Sequence, residues 1–179
     1  MALAIFLRGV NVGGHRTFRP SVLAKELDKY GAINIGAAGT FIVRKAVTQA
    51  CLRLELLRRL PFEAEIIICN AQELIAAVAA NPFEACPQRS DIVRFVSILA
   101  KRPRTLPAIP MRVPNDKNWL LTVVAAHGRF VFGFYRREMK AIGALGRLDK
   151  LFGAPVTTRN WNTISALVTL LAKHEANCH

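Results

Sequence analysis

Apolar residues fall along this chain in two rhythms, short unbroken runs and stripes repeating every three to four positions. The run "ALAIFLRGV" predicts a buried strand over residues 2–9. Pro20 suits the first turn of a helix, where its missing N–H costs nothing. Val22, Leu23, Leu27 and Tyr30 then form one helical stripe that Gly31 stops. The stretch "AINIGAAGTFIVRK" reads as two extended pieces around Gly36 and Gly39, a hairpin. Val47, Ala50, Cys51, Leu54 and Leu57 return at helical spacing, and Pro61 ends that segment. "EAEIIIC", 63–69, predicts a second buried strand. The helix "NAQELIAAVAAN" follows it, with Asn70 as expected N-cap and Glu73 in capping-box position. The order β-α-β-β-α-β, with short right-handed connections, packs naturally as a ferredoxin-like split β-α-β sandwich. Helices at 20–30 and 46–60 would cover one face of its sheet.

"NPFEACPQRSD", 81–91, reads as a connector. The expected division is a half over 1–80, a linker over 81–90, and a second half over 91–179 packed against the first. "IVRFVSILA" opens the second half as a strand. "KRPRTLPAIPMRVPND" carries too many prolines for a long helix or a central strand and reads as a surface excursion. "NWLLTVVAAHGRFVFGFYRRE" predicts a hairpin turning at His127-Gly128. "AIGALGRLDKLFG" reads as a glycine-interrupted helix, and Ile164, Leu167, Val168 and Leu171 as an amphipathic one. The fold class expected is therefore α+β. A ferredoxin-like N-terminal half is followed by a second, related α/β half, with predominantly antiparallel sheets.

Charge sharpens this outline. The chain of 179 residues carries a net +13, and residues 91–140 hold ten basic and three acidic groups, more than half of the excess. Such a field attracts nucleic acid, nucleotides or acidic surfaces without choosing among them. No apolar run reaches the roughly 20 residues that span a bilayer. No basic region precedes the apolar residues 1–7, so a cytoplasmic protein with no membrane partner is expected. The four cysteines form no CxxC pair. Cys51 and Cys69 read as small buried hydrophobes, and nothing calls for a metal or a cofactor.

Two stretches could carry chemistry. In "FLRGVNVGGHRTF", Gly9, Gly13 and Gly14 could let backbone N–H groups converge on an anion beside Arg8 and Asn11. The same glycines could equally serve a strained turn. The loop matches neither GxGxxG nor GxxxxGK[ST]. In "TTRNWNT", Thr157, Thr158 or Asn160 could cap the last helix. Arg159 and Asn160 beside that helix start could hold a carboxylate or phosphate, and Trp161 reads as core. Arg129, Arg136 and Arg137, interleaved with Phe130, Phe132, Phe134 and Tyr135, form a weaker candidate nucleic-acid surface. The alternation of the three phenylalanines equally describes a core strand.

"LRGVNVGG" and "GAPVTTRNWNT" resemble the opening and closing blocks of a bacterial domain family of unknown function. "NPF" at 81–83 and "GRFVFGFY" at 128–135 sit where that family has similar blocks. The resemblance implies two ferredoxin-like halves and no established activity, substrate or cofactor. This chain departs from it at "GAAGTF", 36–41, which lacks the polar Gln, Ser and Asn typical there, and after the hairpin, where "RREMKAIGALGRLDKL" replaces a Gly-Arg-Ser-Lys-Leu run.

No HExxH, GxSxG or close acidic pair marks an enzyme. Three readings stand. One is a non-catalytic module binding an anionic small molecule or nucleic acid, with Arg8, Asn11, Gly13, Gly14, Arg159 and Asn160 as its candidate ligand residues. Another is a structural or interaction domain, and the last an enzyme acting on a small phosphorylated or carboxylated substrate. The sequence leaves oligomeric state open.

Overall fold

A computed structural model describes residues 1–10, 18–84 and 86–176. It divides into two units, Met1–Ile75 with Ser165–His179, and Ala76–Ile164. The connector expected at 81–90 lies inside the second unit, and the last helix contributes its later residues to the first.

The first unit runs β1 (Leu3–Arg8), α1 (Pro20–Glu26), a 3-10 turn (Asp28–Tyr30), β2 (Ala32–Asn34), β3 (Thr40–Val43), α2 (Gln49–Arg59), β4 (Glu65–Asn70) and α3 (Ala71–Ala79), which continues past the unit's boundary. Its sheet has the order β2-β3-β1-β4, with every neighbouring pair antiparallel. That is the ferredoxin-like arrangement expected from the element order. Pro20 opens α1, and Gly31 closes the turn after it with φ +64°. Side chains alternate across a strand, so Leu3, Ile5 and Leu7 share one face. They form a core with Leu23, Leu27, Leu52, Leu56 and Ile68.

The buried stripe of α2 differs from the expected one. Leu52 and Leu56 face the core, whereas Leu54 and Leu57 are 55% and 53% exposed and Cys51 is exposed. Leucines on both sides of this helix give two competing stripes, and periodicity alone cannot choose between them. Thr48 starts the helix by accepting from the Cys51 N–H, and with that register the apolar spacing 52, 56, 60 turns inward. Asn70, expected as a helix cap, directly precedes α3, and its side-chain oxygen accepts from Gln49 Nε2. Glu55, on the same helix, collects Lys29 at 3.2 Å, Arg58 at 3.7 Å and Arg59 at 2.6 Å.

The second unit contains β5 (Ile92–Leu99), β6 (Met111–Val113), β7 (Leu121–His127), β8 (Phe130–Arg136), α4 (Met139–Leu145), α5 (Leu148–Phe152), β9 (Val156–Asn160) and the start of α6 (Trp161–Ala176). The sheet order is β6-β7-β8-β5-β9, again antiparallel throughout. Removing the short edge strand β6 leaves β7-β8-β5-β9, which repeats the order of the first sheet. The proline-rich excursion stands where the first unit has α1, and β6 is the edge strand it carries. The hairpin turns one residue later than expected. His127 pairs with Phe130, and Gly128, with φ +61°, takes the first central position, where a two-residue turn needs positive φ. Phe95, Val123, Val131, Leu148 and Phe152 make the core beneath α4 and α5. Phe130, Phe132 and Phe134 are buried as well, so they are not open stacking platforms.

Gly133 lies at the tightest point of this sheet. A Cβ there would fall 2.6 Å from Phe95 Cζ and against the Thr122 carbonyl oxygen. Gly133→Ala is expected to lower stability by about 2–3 kcal/mol through overpacking. Gly143→Ala, at a helical position with nothing within 4 Å, should raise it by ~0.5–1 kcal/mol. Urea denaturation of both variants checks the pair, and a Gly133→Ala protein as stable as the parent would contradict the packing described.

The Glu55 cluster generates a pH dependence. Lys29 foremost, with Arg59 assisting, holds the Glu55 carboxyl below its ordinary range. A depressed carboxyl stabilises the fold above its unfolded pKa, and that contribution disappears as pH falls through the folded value. Glu55→Gln should therefore melt lower than the parent at neutral pH and converge with it in acid. Melting curves from pH 7 to pH 3 test this, and a gap that widens on acidification would reverse the assignment.

Candidate functional site

The sequence candidates separate once their surroundings are resolved. Arg8 ends β1 and meets Glu65 of β4 at 3.4 Å, the residue directly opposite it in register. Asn11, Gly13 and Gly14 lie outside the described residues. "TTRN" is strand rather than loop, because β9 runs to Asn160 and α6 begins at Trp161. Arg159 is only 7% exposed. Its Nη1 donates to Thr157 Oγ1 at 2.8 Å and to the Thr158 carbonyl at 2.9 Å. Burial pushes its pKa down to about 10, so it still carries its charge at neutral pH. Asn160 caps α6, its Oδ1 accepting from the Thr163 N–H at 2.8 Å.

Arg129, Arg136 and Arg137 do not form one surface. Arg129 precedes β8 and donates its Nε to the Leu99 carbonyl, while Arg136 and Arg137 lie at the other end of that strand. Arg136 stacks over Trp119, 4.6 Å from the ring centre. Arg137 is exposed and borders a cleft of about 640 Å³, within the size range of small-molecule sites.

The cleft gathers residues that are distant in sequence. Ile92, Val93 and Arg94 supply one wall from the start of β5. Tyr135, Arg137 and Glu138 come from the end of β8, and Met139 and Ile142 from α4. Asn160, Trp161 and Asn162 come from the β9–α6 junction. Met139 and Ile142 are 83% and 60% exposed at its rim. Trp161 is half-buried because its ring packs edge-on against Phe83, 4.9 Å between centres. Arg94 stands 5.8 Å from that same Phe83 ring. Burial pushes the nearby Cys86 thiol up, and the Arg94 charge opposes that shift. Among the described residues, no carboxylate pairs with Arg94 or Arg137. Among the described residues, two cations, two amide side chains and one acid, Glu138, thus line this open space.

Of the three ligand candidates among the described residues, Arg8, Arg159 and Asn160, only Asn160 borders this cleft. Sequence reasoning passed over Arg94, Tyr135 and Asn162 as site residues. The available signal for Arg94 was its place as the one charge inside the apolar run "IVRFVSIL". Asn162 lay within a motif already singled out. Among the described residues, no helix is long and apolar enough to cross a membrane.

Among curated proteins, no sequence matches this chain. A solved structure described as that of the conserved bacterial protein SP0830 from Streptococcus pneumoniae is similar over 95% of this chain and 98% of its own. The TM-score is 0.61 and the identity 14%, a likeness of fold. The family described as "Protein of unknown function (DUF1697)" matches residues 1–118. The resemblance to a bacterial family of unknown function is thus upheld, and the chain belongs to that family.

Proposed function

We propose that this protein is a non-catalytic binding module for an anionic ligand and that the cleft at the β9–α6 junction is its site. The observation that carries the reading is that Arg94 and Arg137, neither paired with a carboxylate among the described residues, both line one cleft of about 640 Å³. Exposed arginines are planar, permanently charged donors suited to carboxylate and phosphate. Asn160 and Asn162 add amide donors, and the first N–H groups of α6 add partial positive charge. Nothing in the lining forms a nucleophile–base pair, so recognition rather than turnover is the chemistry this cleft supports. The contrary reading, a domain whose "TTRNWNT" motif only builds the fold, draws on Arg159 and Asn160. Both already have structural hydrogen bonds.

Trp161 reports on the cleft, and Trp119→Phe removes the other tryptophan signal. Titration of that variant with inorganic phosphate, citrate or a single-stranded oligonucleotide should give a saturable fluorescence change that weakens as salt rises. Arg137→Gln should weaken binding about tenfold, equivalent to ~1.4 kcal/mol. A signal indifferent to salt and to Arg137→Gln, or no signal with any of the three anions, would sink the proposal. Oligonucleotide binding that Arg137→Gln leaves untouched would move the polyanion contact to the basic excursion over 101–117.

A further inference from the structure

The floor of the cleft is the bare edge of a strand. β8 pairs with β5 from Ile92 to Ile98, but β9 pairs with it only from Phe95 to Leu99. Among the described residues, Ile92–Arg94 therefore has a strand on one side and none on the other.

The direction of the backbone groups follows from parity. The Leu99 N–H donates to the Arg129 carbonyl, and the Asp91 carbonyl accepts from the Arg137 N–H, so odd-numbered residues of β5 turn toward β8. The Ala100 N–H donates to the Pro155 carbonyl, so even-numbered residues turn toward the β9 side. Ile92 consequently aims its N–H and carbonyl, and Arg94 its N–H, into the lane that β9 leaves at Asn160. The side chains of Val93 and Arg94 emerge on opposite faces of the sheet, yet both line the cleft. The cleft wraps around the sheet edge instead of resting on a face.

We infer that the cleft takes an extended acidic peptide segment of another protein, added as a short strand along Ile92–Arg94. The inference rests on the anion-binding reading and names its partner. An unpaired edge is a template for strand addition, with main-chain bonds giving affinity and flanking side chains giving selectivity. Charge selects the occupant. Among the described residues, Arg94 and Arg137 line the cleft against one acid, Glu138, and Met139 and Ile142 offer apolar contact at the rim. A second copy of this chain would bring a further +13 to an already basic surface, whereas an acidic segment complements it.

The test uses the full chain and the fluorescent-labelled peptide acetyl-Glu-Val-Glu-Val-Glu-amide, with a twin N-methylated at every residue. The peptide should bind, the twin should bind at least tenfold more weakly, and Arg137→Gln should cost about fivefold. On peptide addition, amide hydrogen exchange by NMR should slow at Ile92 and Arg94. It should not change at Val93, whose N–H faces β8. Ile92→Pro, which deletes an N–H only on the open side, should weaken the peptide with the circular dichroism spectrum unchanged. Equal binding of the twin, or unprotected Ile92 and Arg94 amides, overturns strand addition and leaves the anion reading standing. So does phosphate quenching of Trp161 with no peptide binding. Failure of phosphate, citrate and peptide together brings down both. A salt-stable dimer in sedimentation that itself protects Ile92 and Arg94 overturns the assignment in favour of a second copy.

Discussion

The second unit is organised by a mismatch in length between the two neighbours of β5. β8 accompanies it from its first residue, and β9 joins only at Phe95. The mismatch has a local cause. Beyond Asn160 the apolar positions change from strand to helical spacing, and Ile164, Leu167 and Leu171 are all fully buried on one helical stripe. The chain must become helix there, and Asn160 accepts the Thr163 N–H that the new helix leaves free. β9 cannot continue past that point, so the lane beside Ile92–Arg94 stays open. The motif "TTRNWNT" thus has its first effect through conformation. It ends a strand, starts a helix and thereby creates the cleft.

Comparison of the two sheets sharpens this point. The orders β2-β3-β1-β4 and β7-β8-β5-β9 are the same, and each final strand ends at an Asn followed at once by a helix. In the first unit β4 covers every residue of β1, from Leu3 opposite Asn70 to Arg8 opposite Glu65. No lane is left there, and Arg8 is engaged by Glu65 across the pair. In the second unit β5 is two residues longer than β1 and β9 one shorter than β4. The shared architecture therefore does not make the cleft. The altered strand lengths do, and the longer β5 lies in the stretch where basic residues accumulate.

Much of this architecture is legible in the sequence because strands announce themselves by local apolar runs and stops by Gly and Pro. The element order, the ferredoxin-like first sheet and the burial of Phe130, Phe132 and Phe134 all follow from such local signals. The failures share a different cause. The wrong face of α2 and the expected burial of Cys51 arise where two apolar stripes compete and packing arbitrates. The late turn at Gly128 depends on which central position needs positive φ. The cleft was invisible for a deeper reason. An open edge is a difference between two pairings, and these join residues 32 to 65 positions apart. No window along the chain contains that information.

The charge distribution and the open edge act over different distances, which is why they are complementary. At physiological salt a charge is felt over about 8 Å, so the excess in residues 91–140 can raise the encounter rate with any polyanion but cannot orient one. Orientation needs short, directional contacts. Ile92 and Arg94 provide these from the backbone, at positions fixed by the β8 pairing, and Arg137 provides them from an exposed side chain lining the same cleft. A small anion would satisfy the arginines and leave the backbone groups to water. A neutral strand would satisfy the backbone and leave the arginines unanswered. An acidic strand answers both at once, and that joint requirement ties the basic field of this chain to the place where its sheet is left unfinished.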